Sequence, residues 1–563
     1  MMLARVARRV PGFLAFLFYC LVVAMLGLIA VYDKRLFHFI SGNGLTAPSA
    51  LYVTGALVLV AVALLALVRQ RPDPEGRAGG AGGLPRCGDR SFYLVLVACF
   101  AVAYLAQLFV SSHVFFRTSW DVQIIDGEVL RHLQGEAWQS EGGRYYFSVY
   151  PNNLLLLHTL VSLRQLGAAI FPAAPDRLLY YALCVPANVA TLLSCCSVYK
   201  LTARRGLTLA CAAVGIVLVV LSPWMVIPYS DQISILFPSL ALFCCAFVRR
   251  PVPRYALASF ACVVGYYYKP TAIFALVAIA LVAASELARQ LAHSGQVRGG
   301  RGRVWRRAGA ALVAALVGVG AAVGMYAAVT APDRGALDED ARMPWTHFLM
   351  MGLNTETEGY WNGDDVTFSE LQPDVAARES ANREVIAQRV RDLGPKGVLL
   401  QMAKKGMAAY GDGTFAWGAE GDFFAEVPQD DRPATALLRS VFFPAGSGVQ
   451  GSGSHYQAWA GLEQVLWFSV LVSTVLNLAA FDGRGRDPEE SRQAMRNVAA
   501  TSLLALSLFL MLFETRARYL FLYAPVYVML AGLGLDAASR RIARWRTSRT
   551  NRARAARTTK EAD

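Results

Sequence analysis

Long apolar segments recur along the whole chain and limit the folds that it can adopt. Hydrophobic residues make up 55% of the 563 positions. Most of the segments are long enough for a helix to cross the hydrocarbon core of a bilayer. Because lipid offers the backbone no hydrogen bonds, a spanning segment is a helix or part of a closed barrel, and continuous runs of Leu, Ala and Val favour helices. We therefore predict an all-α polytopic membrane protein with about 11–13 transmembrane helices. The apolar segments lie near 12–31, 51–68, 91–111, 152–171, 178–199, 206–228, 232–248, 255–268, 271–287, 308–329, 463–481, 498–513 and 518–537.

Basic residues are concentrated in a few short stretches between these segments and in the C-terminal tail. The formal net charge of +14 would suggest nucleic acid as a partner of a soluble protein. Here the preference of Lys and Arg for the cytoplasmic side of a membrane explains the clusters, so no nucleic-acid partner is predicted. We expect a multi-pass protein of the cell membrane with both termini in the cytoplasm, and a tail that also contacts anionic membrane lipids. The basic stretches are 69–90, 200–205, 249–254, 289–307 and 540–560.

The same charge argument places residues 112–150, 330–462 and the turn at 514–518 outside the cytoplasm. One segment conflicts with it. Two apolar segments separate Tyr150 from the basic loop at Lys200, and an even number of crossings returns the chain to the side on which it started. Segment 152–171 contains charged and polar residues that are costly in mid-bilayer. Either this segment is interfacial or half-inserted, which we expect, or the assignment at Lys200 is wrong.

The pattern divides the chain into five parts. These are two N-terminal transmembrane helices with a cytoplasmic linker (1–90), a transmembrane core that includes the outer loop 112–150 (91–329), an acidic extracytoplasmic cap (330–462), C-terminal transmembrane helices (463–538) and a basic cytoplasmic tail (539–563). Within the cap, helices are predicted at 379–393 and 395–410, and Gly-rich turns at 411–421 and 444–454. The ten cysteines show neither a disulfide framework nor metal-ligand spacing, so they are expected to act as packing residues.

Asp121 is the best candidate for a catalytic carboxylate. It follows Trp120 at the edge of a membrane span, in a loop where an enzyme must take its activated group from a lipid carrier or a neighbouring polymer. Moving a sugar from a polyprenyl phosphate to a hydroxyl needs a carboxylate that takes the hydroxyl proton and cations or a metal that hold the departing phosphate. Asp126 and Glu128 follow, with His132 one turn later; for these two acids a solvated surface is the favoured interpretation.

Asp231 and Lys269 lie where spans meet the predicted outer side. Asp231 has two interpretations of equal weight: a functional acid, or an N-cap for the helix that follows. If it is functional, Asp121 and Asp231 are candidate ligands for a divalent cation such as Mg²⁺ or Mn²⁺. Lys269 is placed to reach a phosphate or a carboxylate, and the alternative is a lysine that extends to the interface among tyrosines.

Arg516 and Arg518 lie in a second outer turn, beside Glu514. The planar fork of Arg suits phosphate oxygens, so phosphate binding is favoured over a structural Glu–Arg pair. The stretch from Met350 to Asp365 is rich in aromatic and amide groups of the kind that bind sugars, although a plain loop explains it equally well.

Together these short motifs resemble the protein-mannosyltransferase-like, or GT-C, superfamily of integral membrane glycosyltransferases. They occur in the expected order between about 118 and 525, and their order and predicted sidedness carry the resemblance. The motifs are Trp120-Asp121, Tyr150-Pro151-Asn152-Asn153, Asp231, Lys269-Pro270, Met351-Gly352-Leu353-Asn354 with Gly359 and Asp365, Lys404-Lys405, and Glu514-Thr515-Arg516-Ala517-Arg518-Tyr519.

The resemblance implies a GT-C-like fold, a polyprenyl-phosphate-linked sugar donor and catalysis at the extracytoplasmic face. It makes Asp121 the catalytic carboxylate, Asp231 the second acid, and Lys269, Arg516 and Arg518 the contacts of the lipid phosphate. Some members use a divalent metal and others do not. The remaining implied substrate contacts are Trp120, Tyr150, Asn152, Asn153, Asn354, Asp365, Glu514 and Tyr519.

The chain also departs from the commonest pattern of that superfamily. Two additional spans stand at the N-terminus, Asn152-Asn153 replaces a Pro-Pro pair, and an acidic cap is inserted between late spans. The function expected from the sequence is transfer of a sugar from a polyprenyl-phosphate carrier to an extracytoplasmic glycan, glycolipid or protein. The alternatives are a transporter or flippase for a lipid-linked sugar and a non-catalytic membrane scaffold.

Overall fold

The fold is helical throughout the part of the chain that the structure describes. A computed structural model of the protein describes residues 2–32, 44–69, 87–115, 118, 120–294, 300–419, 427–480 and 490–560. Within these ranges no strand occurs, which confirms the predicted all-α class. Most of the predicted linker after the second helix lies outside the described residues.

The described residues form 21 α-helices. In chain order they are α1 (Met2–Val31), α2 (Ser49–Arg69), α3 (Cys87–Val114), α4 (Asp121–Gln134), α5 (Glu141–Val149), α6 (Leu154–Ile170), α7 (Arg177–Thr202), α8 (Arg205–Gly215), α9 (Ser230–Ser234), α10 (Leu236–Phe247), α11 (Pro251–Tyr268), α12 (Phe274–Ser294), α13 (Gly300–Thr330), α14 (Trp345–Gly352), α15 (Gly363–Glu370), α16 (Val375–Tyr410), α17 (Pro433–Phe442), α18 (Tyr456–Val475), α19 (Glu490–Leu512), α20 (Arg518–Phe521) and α21 (Ala524–Lys560).

Ten stretches of the described chain are helical, long and apolar enough to cross a membrane. They comprise α1, α2, α3, α6, α7, α9 with α10, α12, α13, α18 and α19. The other predicted segments also fall on helices. Segment 206–228 becomes the short α8 followed by a π-helical turn at 216–220, segment 255–268 lies in α11, and segment 518–537 lies in α20 and α21.

Small residues let the membrane helices approach closely, as is usual where no hydrophobic force drives helices together in lipid. A Cβ atom at Gly318 of α13 would lie 2.2 Å from the carbonyl oxygen of Ala256 in α11. Nearby, Ser259 donates a 2.9 Å hydrogen bond to the carbonyl of Ala315. The seam between α11 and α13 therefore tolerates no larger residue at Gly318.

Helix α6 corresponds to the segment whose crossing was in question. Its most costly residue, Arg164, is buried and forms ion pairs with two acids. The guanidinium lies 2.6 Å from the carboxylate of Asp126 in α4 and 2.9 Å from that of Asp176, just before α7. Asp126 lies in the loop assigned to the outer side, so its pairing with Arg164 holds the C-terminal part of α6 beside that loop. Residues Pro151–Ile170 also meet the length and composition needed to span a bilayer.

Helices α14 to α17 build the region predicted as a cap. The two helices predicted there correspond to the two parts of α16. This helix is interrupted at Gly394, whose φ is +61°, just before Pro395. The Asp374 side chain caps the first part by accepting a hydrogen bond from the amide of Ala377.

The segment after α16 was expected to be a Gly-rich turn, but residues 411–417 are a buried loop inside the bundle. Asp412 organises it by accepting hydrogen bonds from the amides of Thr414 and Ala416, each 2.8 Å long. Trp224 donates from outside the loop to the carbonyls of Thr414 and Phe415. The polar backbone of the buried loop is therefore paired both within the loop and by side chains outside it, such as Trp224 and Gln464.

Candidate functional site

Asp121 opens helix α4, directly after Trp120. Its carboxylate accepts a hydrogen bond of 2.8 Å from the hydroxyl of Tyr229, which precedes α9. The rings of Trp120 and Tyr229 meet edge to face, with their centroids 5.0 Å apart. Asp121 is partly exposed, so Tyr229 orients a carboxylate that remains accessible.

Asp231 holds two cations side by side. The Lys269 ammonium forms an ion pair with one oxygen of the Asp231 carboxylate, and the Arg518 Nε atom lies 3.7 Å from the other. All three side chains are largely buried. The capping role for Asp231 is wrong, because Tyr229 occupies the N-cap position of α9 and no side chain caps that helix.

Arg518 is enclosed by four aromatic rings. Its Cζ atom lies 4.6 Å from the ring centroid of Trp120, 5.4 Å from Trp224 and 5.8 Å from both Tyr229 and Tyr519. Cation–π contacts of desolvated groups contribute about 1–2 kcal/mol each. The rings hold the guanidinium in place and connect Asp121, which is bonded to Tyr229, to the Asp231 pair.

Tyr519 links the cations to Glu514. The Lys269 ammonium lies 4.5 Å from the centroid of the Tyr519 ring, and the Tyr519 hydroxyl donates a 2.7 Å hydrogen bond to Glu514. The acid and the cations predicted from three distant parts of the sequence thus form one connected group. We call this group the site cluster; it consists of Trp120, Asp121, Tyr229, Asp231, Lys269, Arg518 and Tyr519.

The Asn152-Asn153 motif reaches the site cluster through a tyrosine. Asn152 donates to the side chain of Asn153 at 3.2 Å, and Asn153 donates to the hydroxyl of Tyr146 at 2.8 Å. Burial raises the pKa of Tyr146, and the neighbouring charge of Asp121 raises it further. The two amides therefore orient a neutral phenol beside Asp121.

Tyr150 is influenced by carboxylates of both outer motifs. Burial raises the pKa of its hydroxyl, and the charges of Asp121 and Glu514 raise it further. The charges of both outer motifs therefore act on the Tyr150 hydroxyl.

Arg516, Asn354 and Asp365 are placed differently from the other predicted substrate contacts. The Arg516 guanidinium lies 5.8 Å from the ring centroid of Tyr360. Asp365 accepts two hydrogen bonds from Arg389, of 2.6 and 3.0 Å, and one of 3.0 Å from Asn354. The side chains of Asn354 and Asp365 thus hold the 350–365 segment against α16 instead of presenting their polar groups to the site cluster.

The residues around Asp121 and Asp231 do not suit a divalent cation. Asp231 already neutralises Lys269 and Arg518, and those two positive charges would repel a metal ion bound to the same carboxylate. Among the described residues, no group of three or more His, Cys, Asp or Glu side chains is arranged to hold a metal. No metal-dependent step is therefore derived for this site.

A second polar cluster lies at the far end of α4. Asp333, just after α13, forms an ion pair with His158 and accepts a 3.2 Å hydrogen bond from the Trp138 indole. His132 lies 3.8 Å from Asp333 and 3.3 Å from Glu128. The solvated-surface interpretation of Glu128 is wrong, because this residue is fully buried and accepts a hydrogen bond from the amide of Trp138.

Three aromatic residues at the site were not predicted individually. Tyr229, Tyr146 and Trp224 supply the hydrogen bond to Asp121, the second phenol and one wall around Arg518. The available signal was the position of Tyr229 two residues before Asp231, together with Trp224 in the same aromatic, Pro-containing stretch. The contacts themselves depend on residues far away in the chain.

The fold and the site cluster define a polytopic helical membrane protein with buried, paired charges gathered near one accessible carboxylate. Residues 8–539 match the family described as conserved hypothetical integral membrane protein, and the chain belongs to that family. No curated protein and no solved structure matches the chain.

Proposed function

We propose that this protein is a membrane glycosyltransferase that moves a sugar from a polyprenyl-phosphate carrier to an extracytoplasmic acceptor, such as a cell-wall polymer, a glycolipid or a protein. The main support is the placement of an accessible carboxylate, Asp121, in one connected group with two buried cations, Lys269 and Arg518. Transfer from a phosphate carrier needs a base for the acceptor and positive charge for the leaving group. The resemblance of the motifs to the GT-C superfamily supports the same function.

In the proposed reaction, the acceptor hydroxyl oxygen forms a bond to the anomeric carbon of the donor sugar. The bond between that carbon and the carrier phosphate oxygen breaks, and its electron pair leaves with the polyprenyl phosphate. Asp121 takes the hydroxyl proton, and Tyr229 fixes the orientation of the carboxylate. Lys269 and Arg518 stabilise the charge that develops on the phosphate.

Asp231 supports this role by holding the cations ready. Two like charges brought together in a buried site repel each other, and one carboxylate between them offsets that cost. The aromatic rings around Arg518 keep the guanidinium in position without competing for its donors. A phosphate that enters therefore meets a preorganised site and does not have to assemble one.

The location of the basic stretches supports an active site on the extracytoplasmic face. Exposed arginines at 301, 303 and 306–307 open α13, and others follow residue 540 in α21, as expected for cytoplasmic ends. The site cluster belongs to stretches that the same charge argument assigns to the opposite side. In the proposed reaction, the protein uses the polyprenyl-phosphate-linked sugar on that same side of the membrane.

The test is transfer by the purified protein in detergent, with a panel of labelled polyprenyl-phosphate hexoses and pentoses and a mixture of membrane-derived acceptors. Loss of a general base lowers the rate by about 10²–10⁴-fold, so Asp121→Asn is expected to abolish detectable transfer while the protein still folds. Glu136→Gln is the matched control, because Glu136 is an exposed acid that follows the same helix. Transfer retained by Asp121→Asn contradicts the assignment, and wild-type protein that binds the donor without consuming it points to a flippase.

A further inference from the structure

Lys405, in the second part of α16, is completely buried although it carries an ionisable group. Its ammonium donates hydrogen bonds to the carbonyl oxygens of Gly352, at 2.9 Å, and of Phe513. These two carbonyls belong to segments that are far apart in the sequence. Lys405 therefore joins the end of α14 to the turn that follows α19.

Two glycines make room for the lysine side chain. A Cβ atom at Gly352 would lie 2.8 Å from the Lys405 ammonium, and one at Gly359 would lie 2.8 Å from Lys405 Cδ. Gly359 also has a φ of +78°, which disfavours any other residue. The passage that admits Lys405 depends on glycine at both positions.

Two backbone hydrogen bonds continue the contact on either side of the lysine. The amide of Glu514 donates to the carbonyl of Phe348, and the amide of Thr515 donates to the carbonyl of Gly359, each at 3.0 Å. We call this contact between residues 348–359 and residues 513–515 the Lys405 seam. The turn that it fixes leads directly into Arg516 and Arg518.

The seam also bears on Lys269. Glu514 accepts a hydrogen bond from the hydroxyl of Tyr519, and the Tyr519 ring lies against the Lys269 ammonium. A shift of the turn would therefore move Glu514, Tyr519 and Arg518 relative to Asp231. Sub-ångström errors of this kind are costly in sites that rely on preorganised charge.

We propose that Lys405 is a positioning residue, which fixes the 513–519 turn against the 348–359 segment and so sets the positions of Arg518 and Tyr519. The inference rests on the proposed function only in assigning the turn to a phosphate-binding site. Burial lowers the pKa of Lys405 to about 7, and the charge of Glu514 opposes this. The other charged groups nearby are Lys404 and Glu358, which form a pair 3.7 Å apart.

The first test is hydrogen exchange of the purified protein, read at the amides of Glu514 and Thr515. Lys405→Met removes both hydrogen bonds of the ammonium. Loss of one bond to a charged group corresponds to about tenfold, so exchange there is expected to be at least about ten times faster. Lys396→Met is the matched control, because Lys396 is an exposed lysine in the same part of α16 and lies outside the seam. Faster exchange across all helices would show a general structural role, and unchanged exchange in the turn would overturn the proposal.

The second test is the affinity for polyprenyl phosphate, which a merely structural role would leave unchanged in the folded fraction. Lys405→Met is expected to weaken binding about tenfold, and Lys396→Met is not. If the wild-type protein does not bind this lipid, the proposed function fails, and the exchange data still decide the role of Lys405. If Lys405→Met does not fold, hydrogen exchange of the wild-type protein at several pH values tests the positioning role of Lys405. After correction for the intrinsic exchange rate, protection of the Thr515 amide should fall as Lys405 loses its proton near pH 7. Protection that stays constant with pH refutes the positioning role.

Discussion

Replacing His132 with Gln should make the stability of the protein depend less on pH. Burial by itself would lower the pKa of His132, but hydrogen bonds and ion pairing with Asp333 and Glu128 raise it to about 9. A histidine whose pKa is higher in the folded than in the unfolded protein stabilises the fold at every pH at which it is protonated in the folded protein. The contribution is complete below pH 6.5 and is lost as the pH rises through 9.

The size of the effect follows from the shift. Raising the pKa from 6.5 to about 9 corresponds to about 3 kcal/mol, as an order of magnitude for a side chain that is 11% exposed. His132→Gln should therefore be less stable than the wild type by about this amount near pH 6, and the difference should shrink to the value of neutral hydrogen bonds near pH 10.

The assay is equilibrium unfolding in detergent, followed by tryptophan fluorescence at several pH values. Trp138 is a local probe, because its ring lies edge-on to His132 with centroids 5.0 Å apart. His293→Gln, at an exposed position of α12, controls for the loss of a histidine elsewhere. A difference between wild type and His132→Gln that stays constant with pH, or that grows as the pH rises, would refute this reasoning.

Two further substitutions separate the site from its supports. Tyr229→Phe removes the hydrogen bond that orients Asp121 and should lower the rate of transfer about tenfold without unfolding the protein. Tyr266→Phe, at an exposed tyrosine of α11, is the control and should have no effect. Equal rates for the two variants would contradict the orienting role of Tyr229. Asp365→Ala leaves the charge of Arg389 without its carboxylate and should lower the free energy of unfolding by about 3 kcal/mol, measured by denaturation in detergent. Loss of transfer with unchanged stability would instead return Asp365 to the substrate contacts.

The helical membrane fold was predictable because it follows from the length and composition of local segments. Within the described residues, each predicted apolar segment falls largely on helices, and the break before Pro395 follows from local chemistry. The irregular turn after α8 was not predicted, since a π-helical turn at 216–220 has no separate signal in an apolar run. The buried loop at 411–417 was also missed, because glycines mark a turn without showing whether it lies at the surface or inside a bundle.

The candidate site was predictable at its charged residues but not at their partners. The sequence predicts functional roles for Asp231, Lys269 and Arg518, because charged residues at the ends of membrane spans are costly and often serve function. That Asp231 holds both cations, and that Tyr229 bonds Asp121, depends on contacts between residues about 40 to 290 positions apart, which no local pattern encodes. The pairing of Asp365 with Arg389 is likewise a contact between separate segments of the chain. It explains why Asp365, which lies in a stretch of the kind that binds sugars, supports the local fold.

The ion pairs of Arg164 bear on the order in which the protein is made. Asp126 precedes Arg164 in the chain and Asp176 follows it, so one counter-ion has already been synthesised when α6 emerges and the other comes shortly afterwards. An arginine that entered lipid alone would meet a penalty of several kcal/mol. Burial of Arg164 is therefore expected to wait until Asp126 or Asp176 can pair with it, so that α6 takes its final place against α4 and the start of α7 during biogenesis.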